Sequence, residues 1–353
     1  MKRFSNIFSL KWIPIGMVSL LICQVQADPA VSDVAGFVEK DCPADADTLI
    51  SVPFDREQIF VGELSVIGDP DEDGNRQVSV QGLDGLGIDA LANDGVVRLL
   101  EGAESGKSIS VSANTATELT VNFGSTSPSP GTLVSVARGW TLDTLFPPAT
   151  QTTFAESTGR FLNGRSSELH MVQGSSSSGD VAAERVFFVE SGEWVESTNG
   201  FASAGDSPVP VGSVLVVRHR NAATASTLEL SGTALHGSFS SELVVPAGGN
   251  VAHAIGLASP GKVSLSALAF PAQVFAPSSG LVESKRRDIL EIYEGTTTLN
   301  PQPSASYFRF QGNWRKVEAG NPLSNNELIP AASGIVIRTA GSNQARTIRW
   351  IQP

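Results

Sequence analysis

A short acidic segment carries the sharpest local signal for metal chemistry. Asp69, Asp71 and Asp73 stand at alternate positions, a glycine follows, and Asn75 could offer a backbone carbonyl. This pattern is typical of the front half of a calcium loop, in which oxygen ligands converge before a sharp turn. The back half is missing, because Val80 occupies the twelfth position, where such loops carry a bidentate glutamate. Asp69, Asp71, Asp73 and Asn75 are therefore candidate calcium ligands, with a solvated hairpin turn as the alternative interpretation.

Other residue types with catalytic potential form no recognisable motif in the sequence. The histidines are too far apart for a local zinc motif: His170, His219, His236 and His253. A Gly-x-Ser-x-Gly nucleophile elbow and a phosphate-binding glycine loop are both absent from the sequence. Carboxylates such as Glu291 and Glu294 lie close together, but a chain this rich in acidic residues contains such pairs by chance. The sequence predicts no cofactor other than calcium, and it favours a non-catalytic protein over an enzyme.

The N-terminus has the layout of a secretory signal peptide. Lys2, Arg3 and Lys11 make the start positive, and residues 12–23 form an apolar run before a small residue at Ala27. The apolar run is about a dozen residues, shorter than the roughly 20 that a spanning helix needs. We therefore predict cleavage near Ala27, and a secreted, periplasmic or cell-surface protein that is not integral to a membrane.

The mature chain is acidic and has a single cysteine. Removal of residues 1–27 takes away three positive and no negative side chains, so the formal charge changes from −12 to −15. Such a charge repels phosphate backbones, which argues against a nucleic-acid partner. Cys42 alone cannot form an intramolecular disulfide, and we interpret it as a small buried residue. The partners left open are an extracellular or envelope polysaccharide and a protein.

Short apolar runs bounded by Gly, Pro, Ser and Asn predict an all-β fold built from sandwich-like or barrel-like domains in tandem. The predicted strands are 49–54, 58–67, 76–83, 108–113, 118–122, 132–138, 168–173, 185–190, 212–219, 227–230, 242–246, 263–270, 288–294, 307–311, 334–338 and 347–351. Residues 86–93 and 141–145 are predicted as helical turns. We place an N-terminal β domain at 28–155 and a C-terminal β domain at 156–353, where Pro-, Ser- and Thr-rich sequence separates them.

The C-terminal half matches itself after a shift of 120 residues. Identical residues at that spacing include Trp194 with Trp314 and Arg218 with Arg338. The match predicts an internal repeat of about 120 residues, with related segments at 165–230 and 286–350. Each tryptophan follows a glycine at a strand end, which predicts a core position with the indole N–H bonded to a backbone carbonyl.

Several stretches, which together span most of the mature chain, resemble an uncharacterised family of secreted bacterial proteins. They are the Asp-Thr-x-Ile-Ser-Val-Pro-Phe motif at 47–54, pieces of 106–121, the Trp-Thr-Leu-x-x-Leu-Phe-Pro motif at 140–147, residues 304–315 with the Gly-x-Trp-Arg motif, and 329–338. The chain departs from the family pattern at Gly131-Thr132 and at Arg138-Gly139. The resemblance implies secretion and a shared β architecture, and it implies no activity and no functional residues.

These observations lead to one preferred function and two alternatives. The preferred function is a secreted, non-catalytic protein with a structural or binding role at the cell surface or in the surrounding matrix. The first alternative is a calcium-assisted carbohydrate-binding module, which would use the acidic loop. The second alternative is a secreted hydrolase.

Overall fold

Short strands dominate the structure, as the punctuated apolar runs predict. The computed structural model describes residues 35–124, 128–172, 174–176, 181–220, 224–245, 247, 250–340 and 346–352. The predicted all-β fold class is confirmed for these residues. None of the helical segments in this part of the chain has the length and apolar character that a membrane crossing requires. The predicted signal peptide, residues 1–27, lies outside the described residues.

Six antiparallel strands close into a barrel in the order β4-β5-β8-β7-β6-β9. Three strands precede it, β1 (Ala35–Cys42), β2 (Asp47–Ser51) and β3 (Phe54–Asp55). The barrel strands are β4 (Glu57–Ile67), β5 (Arg76–Val80), β6 (Gly95–Leu99), β7 (Ser108–Asn114), β8 (Glu118–Val121) and β9 (Leu133–Arg138). Alternate residues point inward, as Val78 and Val80 on β5 and Leu119 and Val121 on β8 show. These side chains fill the barrel with an apolar core of its own.

Strands on both sides of the barrel segment form lobe 1, which comprises residues 35–55 and 140–234. After the barrel come β10 (Trp140–Thr141), helix α1 (Leu142–Leu145), a 3₁₀ turn (Leu162–Gly164), β11 (Ser167–Val172), β12 (Ser175–Ser176), β13 (Ala183–Glu190), β14 (Glu193–Glu196), β15 (Ala202–Ser203), β16 (Pro208–Val209), β17 (Val214–His219) and β18 (Ser226–Ala234). One sheet has the order β15-β14-β13-β11-β17-β2, and the other has the order β1-β18-β3. Both sheets contribute to one apolar core, which makes lobe 1 a sandwich.

Lobe 2, residues 240–352, also contains a larger and a smaller sheet. Its elements are β19 (Ser240–Val245), β20 (Val251–Gly256), β21 (Val263–Ser264), 3₁₀ turns at Leu265–Leu268 and Glu283–Lys285, β22 (Ile289–Ile292), β23 (Ala305–Phe310), β24 (Asn313–Lys316), β25 (Leu328–Ile329), β26 (Gly334–Thr339) and β27 (Arg346–Ile351). The larger sheet has the order β12-β20-β26-β22-β23-β24, and β19 pairs with β27 to form the smaller one. Leu243 and Trp350 from the smaller sheet pack with residues of the larger sheet in one core.

The two larger sheets share a strand order. The series β14-β13-β11-β17-β2 in lobe 1 corresponds to β24-β23-β22-β26-β20 in lobe 2. Trp194 and Trp314 both lie in their lobe cores, and the Trp194 indole N–H donates to the Phe146 carbonyl at 2.9 Å, as predicted. The duplication of 165–230 as 286–350 stays a prediction, and so does the domain boundary near residue 155.

Each lobe also contributes backbone to the other, which holds the lobes together. Strand β12 belongs to the lobe 1 segment but pairs with β20 of lobe 2. In the other direction, the backbone N–H of Asp47 donates to Thr298 at 3.1 Å, and that of Ser51 donates to Ala332 at 2.7 Å. The described residues from 35 onward belong to one compact unit. These backbone hydrogen bonds between the lobes hold the two large sheets beside each other.

One local prediction was wrong, and the reason lies in short-range hydrogen bonding. Residues 263–270 were predicted as one strand, but the Ser264 side chain accepts a hydrogen bond from the Ala267 backbone and begins a 3₁₀ turn. Residues 86–93, predicted as a helical turn, form consecutive hydrogen-bonded turns that do not extend into a helix, with the Ala90 N–H donating to Gly87 and the Ala92 N–H to Asp89. The helical turn predicted at 141–145 is confirmed as α1, where the Thr141 and Thr144 side chains cap the first turn.

Candidate functional site

A cleft with a volume of about 760 Å³ opens between the large sheets of the two lobes. Its apolar floor comes from Leu49 on β2, Val216 on β17 and Val336 on β26. Strands β17 and β26 are apolar runs with an arginine as the last residue but one. Alternation along a strand puts each arginine on the same face as the valine two positions before it. Arg218 and Arg338, which match in the 120-residue comparison, therefore both line the cleft. We refer to this site as the inter-lobe cleft.

Arg218 forms a bidentate ion pair with Asp47 on the neighbouring strand. Its Nε and Nη2 lie 2.6 Å from the two Asp47 carboxylate oxygens. Asn300 from lobe 2 closes the group, because its side-chain oxygen accepts from Arg218 Nη2 at 2.7 Å and its backbone N–H donates to Asp47 at 2.8 Å. Hydrogen bonding to Asp47 raises the pKa of Arg218. This charged group thus spans the boundary between the lobes.

Arg338 forms the corresponding ion pair in lobe 2, with a different partner. Its Nε lies 2.7 Å from Glu291 Oε1, and the Tyr293 hydroxyl donates to Glu291 Oε2 at 2.9 Å. Hydrogen bonding to Glu291 raises the pKa of Arg338. Burial, reinforced by the Glu291 charge and its hydrogen bond, raises the pKa of Tyr293 to about 12. Tyr293 therefore stays protonated at neutral pH and acts as a donor.

His170 lies at the lobe 1 wall of the cleft and is anchored from behind. Its Nε2 lies 3.0 Å from Glu168 Oε2, and Glu168 also accepts from Arg165 at 3.0 Å and from Arg220 at 2.9 Å. Burial raises the pKa of Glu168, but hydrogen bonds from His170, Arg165 and Arg220 outweigh it and hold that pKa at about 2. Glu168 is 1% exposed, so it positions His170 and has almost no contact with solvent.

The cleft combines paired charges with an apolar floor. Both of the carboxylates that line it, Asp47 and Glu291, accept hydrogen bonds from a guanidinium group. Carboxylate oxygens that already accept from an arginine are less available to exchange a proton with a ligand. The arrangement is better suited to holding a ligand than to transferring a proton.

The candidate calcium ligands lie elsewhere, on the exposed hairpin between β4 and β5 of the barrel. Asp71 Oδ1 accepts from the backbone N–H groups of Asp73 at 3.0 Å and Asn75 at 2.8 Å. The Asn75 backbone bond is the main reason that the pKa of Asp71 is lowered. Across the part of the chain that the structure describes, no group of three or more His, Cys, Asp or Glu is arranged to hold a metal ion. Calcium binding by Asp69, Asp71, Asp73 and Asn75 stays a prediction.

Two other histidines are buried away from the cleft. His219 lies between the hydroxyls of Ser167 and Ser226, at 2.9 and 2.8 Å, and burial lowers its pKa. His253 is 1% exposed, and neither of its ring nitrogens has a hydrogen-bond partner among the described residues. Burial lowers the pKa of His253 to about 4. Both rings are therefore neutral at pH 7, consistent with structural roles.

Cys42 is a free thiol and is buried, which confirms the prediction that it is a core residue. Its side chain belongs to the lobe 1 core. Burial raises the pKa of the thiol to about 11, so the reactive thiolate is scarce at neutral pH.

Searches with the chain found no matching protein family, no similar curated protein and no similar solved structure. The resemblance to a family of secreted bacterial proteins therefore stays a prediction. The sequence marks Arg218 and Arg338 as matched strand ends, and Asp47 begins one of the resembling motifs. It gives no signal that these residues face one cleft, because the ion pair of Arg218 joins positions 171 residues apart.

Proposed function

We propose that this is an exported, non-catalytic binding protein whose ligand site is the inter-lobe cleft. The observation that carries the proposal is the cleft itself, in which both carboxylates are engaged by arginine. Its volume of about 760 Å³ falls within the range of about 300–1,000 Å³ that is typical of ligand sites. A concave site with an apolar floor and a few fixed polar groups is the usual form of such a site.

The proposed location outside the cytoplasm rests on the N-terminal sequence. A positive start, a short apolar run and Ala27 at the cleavage position support export. The negative charge of the mature chain disfavours a nucleic-acid partner. The proposed partner is therefore an extracellular or envelope polysaccharide or protein. N-terminal sequencing of the protein recovered outside the cytoplasm tests this part. We expect a chain that begins at Asp28, and an intact N-terminus on protein that remains in the cytoplasm contradicts it.

Blocking the cleft tests its role as the binding site. Purified residues 28–353 are offered to a panel of oligosaccharides, envelope polysaccharides and peptides, and binding is measured by biolayer interferometry. Ala183→Trp places a bulky side chain at the exposed rim, and Val216→Trp fills the floor. Ala116→Trp, at an exposed turn of the barrel, is the matched control.

We expect saturable binding to at least one class in the panel. That binding is lost in both cleft variants and retained by the barrel variant, with circular dichroism confirming that all three fold. Binding that survives both cleft substitutions contradicts the proposal, and so does a panel without any ligand.

A further inference from the structure

Charge in the inter-lobe cleft is balanced, unlike that of the molecule. Arg218 and Arg338 face Asp47 and Glu291 in two ion pairs, so these four residues carry no net charge. The whole chain carries a formal charge of −12. An anionic ligand would meet guanidinium groups that carboxylates already engage, and it would approach against the charge of the molecule. A cationic ligand would meet carboxylates that arginines already neutralise. The electrostatics therefore favour a neutral ligand.

Hydrogen-bonding capacity remains on Arg218, Glu291 and His170. Within the described residues, Arg218 donates through Nε and Nη2, which leaves Nη1 without an acceptor. Each carboxylate has about four lone-pair positions, and Glu291 receives one bond on each oxygen from Arg338 and Tyr293. His170 uses Nε2 on Glu168, which leaves Nδ1 for another partner. A hydroxyl group both donates and accepts, so pairs of neighbouring hydroxyls match this mixed set of groups.

Apolar surface lies between the polar groups. Leu49 and Val216 form part of the floor, and Pro301 and Pro303 of lobe 2 also line the cleft. A sugar ring presents C–H groups on its faces and hydroxyls at its edges, and thus fits a site with an apolar floor and polar ends. Tyr293 adds one aromatic ring to the lining.

We propose that the inter-lobe cleft binds a neutral, hydroxyl-rich ligand, namely a short segment of an uncharged oligosaccharide. This proposal rests on the proposed function and specifies its ligand class. Arg338 and Arg218 bind ligand hydroxyls from the two lobes. Asp47 and Glu291 hold these arginines in place, Glu291 also accepts from a ligand hydroxyl, and the floor packs against the ring faces.

An array experiment with matched ligands tests this specificity. Residues 28–353 are applied to neutral oligosaccharides and to analogues that carry uronate or sulfate groups on the same backbones. Selected ligands are then titrated by calorimetry at low and high NaCl concentrations. Arg338→Gln removes an ion pair whose arginine is partly exposed, and Arg160→Gln removes an Arg–Glu pair outside the cleft as the matched control.

We expect saturable binding of neutral oligosaccharides with a Kd that is nearly independent of salt. Arg338→Gln weakens that binding about tenfold, because it removes hydrogen bonds from a charged donor, and Arg160→Gln leaves it unchanged. Preference for the charged analogues, or a blank neutral array, overturns the proposal. If peptides or charged glycans bind instead and the cleft-filling variants abolish that binding, the cleft remains the ligand site and only the ligand class is wrong.

Discussion

Arg98 on barrel strand β6 donates two hydrogen bonds to Asp55 on β3 of lobe 1. The Nη1–Oδ2 and Nη2–Oδ1 distances are 2.8 and 3.0 Å, and both side chains are buried. On the other side, Arg349 on β27 of lobe 2 donates to the carbonyls of Ala103 and Ser105 in the barrel loop after β6. The barrel thus contacts both lobes through hydrogen bonds from arginine.

The Arg98–Asp55 pair leads to a prediction about stability. Arg98→Met leaves a buried carboxylate without its partner, and we expect a loss of about 3–5 kcal/mol in the free energy of unfolding. The double variant Arg98→Met/Asp55→Leu removes both charges and recovers most of that loss. Urea denaturation measures both. Arg56→Gln, which breaks a more exposed pair with Asp94, is the control with an expected loss below about 1 kcal/mol. Equal losses in Arg98→Met and Arg56→Gln contradict the prediction.

Glu168 predicts a second, acid-dependent effect. Its folded pKa of about 2 lies below the ordinary value of 4.5, so its contribution is present above pH 4.5 and is lost as pH falls toward 2. We expect Glu168→Gln to lower the free energy of unfolding at pH 7 by about 3 kcal/mol. Glu190→Gln, which breaks an exposed pair with Arg160, is the control. The free energy of unfolding is measured by guanidinium titration at pH 7 and pH 3. If Glu168→Gln lowers it by the same amount at both pH values, the prediction is contradicted.

His253 predicts acid sensitivity in a higher pH range. Its folded pKa of about 4 lies below the ordinary value of 6.5, so the unfolded chain takes up the proton first. Stability is therefore complete above pH 6.5 and falls as the pH decreases toward 4. We expect His253 to account for a loss of about 2.5 kcal/mol between pH 7 and pH 4.5, which is absent in His253→Leu. If the free energy of unfolding has the same pH dependence in the unmodified protein and in His253→Leu, the prediction is contradicted. The control is His236→Leu, because His236 is exposed.

The acidic hairpin gives a prediction that separates turn formation from calcium binding. Asp71 accepts two backbone hydrogen bonds within the turn. We therefore expect Asp71→Ala to lower the Tm in EDTA, and Asp73→Ala to leave it unchanged there. If the loop binds calcium, Ca²⁺ raises the Tm of the unmodified protein, and Asp73→Ala removes that rise. Differential scanning fluorimetry with and without Ca²⁺ reads out both effects, and a Tm of the unmodified protein that Ca²⁺ leaves unchanged contradicts the calcium hypothesis.

The sequence predicts the strands well where burial and alternation act together. The apolar runs at β17 and β26 and the alternating barrel strands are visible in the sequence. In these strands most apolar residues are buried, and the exposed positions are mostly polar. Strands β1 and β6 were not predicted, because β1 mixes charged and apolar residues and β6 includes a buried arginine. Arg98 is a charged residue that is nevertheless buried, and its ion pair with Asp55, 43 residues away in sequence, accounts for the burial.

The cleft could not be predicted, because its residues meet only through the fold. Arg218 and Asp47 are 171 residues apart, and the barrel segment lies between them in sequence. The acidic loop differs from the cleft in this respect, because its residues are neighbours in the sequence. Local spacing can identify a turn of this kind, but it cannot identify a site built from two lobes.

The most direct test of the cleft as a binding site is hydrogen–deuterium exchange of residues 28–353, read by mass spectrometry. The protein is measured alone and when saturated with the oligosaccharide that binds it most tightly. We predict slower exchange in peptides covering β17, β26 and the segment around Asn300, with the barrel strands β4–β9 unchanged. Protection confined to the barrel, or no change at saturation, contradicts the assignment of the inter-lobe cleft as the ligand site.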